Sequence, residues 1–117
     1  MSTRDTIQKY VASVKAKHGW ESSLADDMRF TILSSPPESV TERSAYHERL
    51  SRFYSMMQGL EIRKIIVDGE DACVLARYEL QTPGGERFES HVAEVFKVRD
   101  GKIETFDIYF DSAPFSR

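Results

Sequence analysis

The sequence predicts an α+β domain in which a mainly antiparallel sheet packs on three N-terminal helices. Two observations carry this. The first half of the chain repeats its apolar residues at helical spacing, whereas the second half alternates them and interrupts them with short glycine-bearing turns. Helices followed by a meander is the α+β order, with the helices covering one sheet face. At 117 residues, 40% hydrophobic and 30% charged, the chain is long enough to bury a core and is read as one domain over 1–117.

The first helix is expected over 3–17, where Ile7, Tyr10, Val11 and Val14 share one face and Ser2 with Asp5 makes a capping pair. Gly19 interrupts that pattern, and Trp20 with Leu24 predicts a second, short helix ending near Asp26-Asp27. Met28, Phe30 and Ile32 then alternate with Arg29 and Thr31, a strand with one apolar face. Pro36-Pro37 forces a loop. Ser39 and Glu42 read as a capping box for a long helix from about Val40 to Met57, with Tyr46, Leu50, Phe53, Tyr54 and Met57 as its stripe and Gly59 as its end. Strand-like runs follow over 60–67, 72–80, 88–99 and 102–112, joined at Asp68-Gly69, Thr82-Pro83-Gly84-Gly85 and Asp100-Gly101. The middle runs carry apolar residues on both faces, Val74, Ala76 and Tyr78 on one and Cys73 and Leu75 on the other. One face packs on the helices; the other is expected to be covered by a second copy of the chain, a homodimer through the outer sheet face.

Charge and motif content narrow the function classes. A net charge of −3, with Arg49, Arg52, Arg63 and Lys64 interleaved among acids, offers no basic tract to a nucleic acid. No run approaches the ~20 apolar residues that span a bilayer, and Met1–Asp5 leads into a helical pattern rather than an apolar signal region, so a cytoplasmic protein is expected. Cys73 sits in an apolar run as a small hydrophobe. His18, His47 and His91 share no ligand spacing, so no metal site is expected; no phosphate loop or nucleophile elbow appears either, and no cofactor is expected.

Glu94 is the residue most suggestive of chemistry. Alternation puts it on one face with Phe88, Ser90, Val92, Phe96 and Val98, and a carboxylate among such neighbours must be paired, protonated or facing a cavity. Desolvation would raise its pKa toward the range of a general acid or base near neutrality. The competing reading places it at the sheet rim, or bonded to Arg77 or a backbone amide.

The run Ala93-Glu94-Val95-Phe96-Lys97-Val98-Arg99-Asp100-Gly101-Lys102-Ile103, followed by Ile108-Tyr109-Phe110-Asp111, resembles the SnoaL-like and ketosteroid-isomerase-like group of the nuclear transport factor 2-like superfamily. Trp20 and the Leu24-Ala25-Asp26-Asp27 run add to the resemblance, which covers essentially the whole chain. It implies a cone, a cystatin-like α+β barrel whose sheet curls around the helices and leaves an apolar pocket at the wide end. It also implies a range of activities, from isomerases, cyclases, dehydratases and epoxide hydrolases to non-catalytic binding modules, so function must be argued from residues.

On that resemblance Asp107 is a candidate acid or base beside Glu94, and Tyr109 a candidate donor to a substrate oxygen. Tyr10 matches the tyrosine that serves as oxyanion donor in ketosteroid isomerases, while also fitting the packing stripe of its helix. Trp20, Phe30 and Tyr54 would line the pocket or fill it. The general base of ketosteroid isomerases has no counterpart, because no acidic residue lies between Asp27 and Glu38. For Asp111 the simplest role is a carboxylate capping a backbone turn. The sequence thus predicts a binder of a small, largely apolar molecule, with cofactor-independent acid–base chemistry of the isomerase, cyclase, dehydratase or hydrolase type; the alternative is a non-catalytic binding or dimerisation module.

Overall fold

The computed structural model describes residues 2–34, 36–111 and 113. Helix α1 (Thr3–Ala16) opens on the expected capping box: the Asp5 amide donates to the Ser2 hydroxyl at 3.0 Å, and the Ser2 amide donates to the Asp5 carboxylate. Ile7, Tyr10 and Val14 are its buried stripe. The predicted second helix is not there. Trp20–Ser23 makes a single 3-10 turn after Gly19, and Leu24–Asp27 already belong to strand β1 (Leu24–Leu33). The physical reason is a partner: Leu24 pairs with Ile103, so its backbone enters a sheet ladder instead of a helix. Among the described residues, two α-helices, not three, therefore pack on the sheet.

A short edge strand, β2 (Glu38–Val40), pairs antiparallel with β1 where the sequence suggested loop and helix start. Ser39 is thereby drawn to Thr31, its hydroxyl 3.3 Å from that of Thr31, and the expected capping box does not form. Helix α2 runs only over Arg43–Ser55, with Glu42 at its N-cap and no side-chain cap bond. It ends before Gly59, which lies inside β3 (Met57–Asp68). Strands β4 (Asp71–Gln81), β5 (Arg87–Arg99) and β6 (Lys102–Tyr109) complete the meander. At its last turn Asp100 and Gly101 both adopt positive φ, 53° and 73°, the backbone a tight hairpin demands. The predicted continuation of β6 to Ser112 stops at Tyr109, and Ser112 lies outside the described residues.

The six strands form one mixed sheet in the order β2-β1-β6-β5-β4-β3, parallel only between β1 and β6. Its inner face carries Val74, Ala76 and Tyr78 from β4, Val92, Glu94, Phe96 and Val98 from β5, and Phe106 and Ile108 from β6, all buried. Rings from the helices close the core: Tyr10 meets Phe96 and Phe106 edge-on at 5.8 and 6.0 Å, and Phe53 meets Tyr78 at 4.9 Å. The outer face is different. Ile66 and Tyr109 are the exposed large hydrophobic residues there, at 46% and 48%. Among the described residues, no helix is long and apolar enough to cross a membrane.

One face assignment changes. Simple alternation grouped Ile103 with Thr105, Asp107 and Tyr109. A register irregularity pairs Val98 with Ile103 but Lys97 with Thr105, so one residue of β6 is passed over and the pattern inverts. Ile103 points into the core, and the other three stay on the outer face.

Candidate functional site

Glu94 sits at the middle of the sheet, opposite Val74 on one side and Ile108 on the other. It is 3% exposed, and among the described residues it is the sole carboxylate in the core. Its partner is neither Arg77 nor a backbone amide. The Tyr78 hydroxyl contacts both carboxyl oxygens at 3.2 Å. Arg77, one residue away and on the opposite face, is committed to Glu61, Glu79 and Glu89. Burial pushes the Glu94 carboxyl up to about 8, against the opposing pull of the Tyr78 bond. At pH 7 roughly nine-tenths of such a group carries its proton.

Two further tyrosines stand close to this carboxyl. The Tyr10 and Tyr54 hydroxyls are hydrogen-bonded to each other. The pKa values of Tyr10, Tyr54 and Tyr78 are all driven well up by burial, and proximity to Glu94 adds to each. All three phenols therefore stay protonated, and the cluster holds neutral donors around a neutral acid.

A cavity of about 390 Å³ opens from this cluster, within the size range of small-molecule sites. Glu94 and Tyr54 are its deep polar groups. Phe30 and Ile32 from β1, Leu50 and Phe53 from α2, and Ile108 from β6 form an apolar wall. Glu38, Arg49 and Arg52 stand at the mouth. Arg49 grips Glu38 with two bonds of 2.6 and 2.7 Å, tying α2 to the edge strand β2. That pairing holds the Glu38 carboxyl below its ordinary pKa. Among the described residues, no three His, Cys, Asp or Glu gather as a metal site would require.

The structure brings some of the sequence candidates together and separates others. Phe30, Tyr54 and Glu94 line the cavity. Tyr10 reaches it only through Tyr54, and Trp20 packs edge-on against the Tyr54 ring at 5.2 Å, so both act behind the wall. Asp107 and Tyr109 lie across the sheet, on the outer face, where Tyr109 borders a shallow groove with Leu75 and Ala93. Asp111 accepts a bond from the Ala113 amide at 3.0 Å, the turn-capping role expected of it. Two features escaped the sequence reading. Tyr78 could have been found by pairing β4 with β5 across the Thr82–Gly85 turn, which puts it on the face of Glu94. Arg49 and Arg52 flank the apolar stripe of α2, a position that periodicity marks as boundary rather than solvent.

Comparison with known proteins places this geometry in context. The SnoaL-like domain profile matches residues 7–106. No curated protein is significantly similar to the chain in sequence. Among solved structures, a candidate SnoaL-like polyketide cyclase from Jannaschia sp. CCS1 superposes with a TM-score of 0.82 at 12% identity, covering 97% of this chain and 88% of that one. An NTF2-like protein of unknown function from Burkholderia pseudomallei K96243 gives 0.80 at 20% identity, covering 98% and 95%. A candidate isomerase from Rhodopseudomonas palustris gives 0.78 at 9% identity, covering 96% and 97%. At these identities the likeness is one of fold.

Proposed function

This chain belongs to the SnoaL-like domain family, and on that footing we propose that it binds a small, largely apolar molecule bearing a carbonyl or similar oxygen and moves a proton on it without a cofactor. The observation that carries this reading is a carboxyl, Glu94, buried in the core yet lining an open cavity, where burial pushes its pKa up to about 8 and so favours the protonated form at neutral pH. A neutral acid in a dry site donates a hydrogen bond that strengthens as negative charge develops on a substrate oxygen. The Tyr54 hydroxyl is the second donor, and Tyr10 fixes its orientation from behind. In the forward step the Glu94 proton passes to the substrate oxygen, and the carboxylate so formed takes a proton from the neighbouring carbon, whose C–H electron pair goes into the new carbon bond, so the acid is restored. Enolisation-type isomerisation, cyclisation and dehydration all use such a step.

A second reading has its own observation. Both Glu94 oxygens already contact Tyr78, which is what a purely structural carboxyl in a non-catalytic binding module would show. The two are separated by a thermal-shift screen of small ketones, epoxides, terpenoids and aromatic polyketide-like compounds against wild type and Glu94→Gln. A ligand at ~100 times its dissociation constant stabilises the fold by about 2.7 kcal/mol. Catalysis predicts hits that persist in Glu94→Gln while turnover is lost; hits without turnover in either protein would favour the binding module.

The proposal includes a homodimer through the outer sheet face, supported by the exposed Ile66 and Tyr109 on that face. Light scattering behind size-exclusion chromatography tests it: Ile66→Lys should convert a dimer to a monomer, and a wild-type monomer at micromolar concentration would refute it.

A further inference from the structure

The cavity is polar at both ends and apolar between, and the two ends differ in charge. Its deep end presents uncharged donors, Tyr54 and protonated Glu94. Its mouth presents two guanidinium groups, Arg49 and Arg52, three residues apart on α2 and therefore on neighbouring positions of one helix face. The acids near them are already engaged. Glu38 holds both terminal nitrogens of Arg49, and Glu48 holds a single one, Nη2, of Arg52 at 2.6 Å. The Arg52–Glu48 pair is the looser, with the two side chains 66% and 68% exposed, a setting in which ion pairs are weak and readily exchanged. Both two-pronged edges of the Arg52 guanidinium, Nη1 with Nη2 and Nε with Nη2, use the nitrogen that this exposed Glu48 carboxylate holds, so exchange of Glu48 for a ligand oxyanion opens an edge that takes it with two parallel bonds.

We propose that the cavity selects molecules with an apolar body and an anionic group at one end, a carboxylate or sulfonate, held at the mouth by Arg52 with Arg49 beside it. This rests on the cavity being the ligand site. The anion fixes the direction of entry: the charged end stays in partial contact with water, and the uncharged end, with its oxygen, is delivered to Glu94 and Tyr54. A neutral molecule of the same shape has no such bias and enters either way round.

Two dyes of matched ring skeleton separate the ideas: anilinonaphthalene sulfonate, and the uncharged phenylnaphthylamine that lacks its sulfonate. Each is titrated into wild type, Arg52→Gln, Arg52→Lys and Ile32→Trp, the last filling the cavity from β1. At low salt wild type should bind the sulfonate roughly fivefold or more tightly than the amine. Arg52→Gln should remove that preference without changing affinity for the amine, Arg52→Lys should keep part of it, and rising salt should erode it. Equal affinity for both dyes in wild type, or an unchanged preference in Arg52→Gln, would overturn anion selection while leaving the cavity standing. Binding of both dyes unaffected by Ile32→Trp, or no binding of either, would instead overturn the cavity reading, and this proposal with it.

Discussion

Replacing Glu94 by glutamine should make the protein's stability less sensitive to pH, and the size of the effect follows from the carboxyl's surroundings. In the unfolded chain the group titrates near 4.5; in the fold burial lifts it to about 8. The folded state therefore holds the proton more tightly, and between those two values the unfolded state carries fewer protons. Stability is full below about 4.5, falls as pH rises through the window, and levels off above about 8. At about 1.4 kcal/mol per pH unit the whole window amounts to about 5 kcal/mol. Between pH 5 and pH 9 the wild type should lose about 4 kcal/mol that Glu94→Gln does not. Glutamine keeps the shape and an oxygen for the Tyr78 hydroxyl, so the comparison isolates the charge. Urea unfolding of both proteins at five pH values in that range reads the difference directly, since every other titrating group is common to both. A stability gap that stays constant to within about 1 kcal/mol across the range would refute the reasoning, because it would mean that Glu94 ionises in the fold as easily as in water.

Three further outcomes follow from the same geometry. Tyr54→Phe strands the buried Tyr10 hydroxyl and should cost about 1–3 kcal/mol in urea unfolding, with ligand affinity reduced as well. Tyr78→Phe removes the one bond that pulls the Glu94 pKa down, so the pH at which stability levels off should move upward relative to wild type. Asp107→Asn, on the outer face beside Val95 and Thr31, should leave ligand affinity unchanged and stability within about 0.5 kcal/mol; a loss of binding in a calorimetric titration would return Asp107 to the site.

The sheet was legible because period-two alternation and turn glycines are local signals. Glu94 stood out for the same reason, a charge in a buried register. What was not legible depended on partners distant in sequence. Leu24–Asp27 reads as helix until Ile103 supplies a ladder. Ser39 reads as a cap until Thr31 and the edge pairing claim it. That Ile103 faces the core while Asp107 and Tyr109 face outward depends on a register irregularity at Lys97 and Val98 that no hydrophobic pattern announces. Pairing β4 with β5 puts Tyr78 on the face of Glu94 but opposite Ser90, so the contact itself also needs the reach of the phenol along the strand. The cavity itself is a property of three separated segments, β1, α2 and the end of β6, and each of them looks like ordinary core when read alone.

The most direct test of the account is a carbon-13 NMR titration of the Glu94 side-chain carboxyl, assigned by comparison with Glu94→Gln. The account predicts one transition near pH 8, with the group still protonated at pH 7. A transition between pH 4 and pH 5, the range of a solvated glutamate, would contradict it and leave the cavity without its acid.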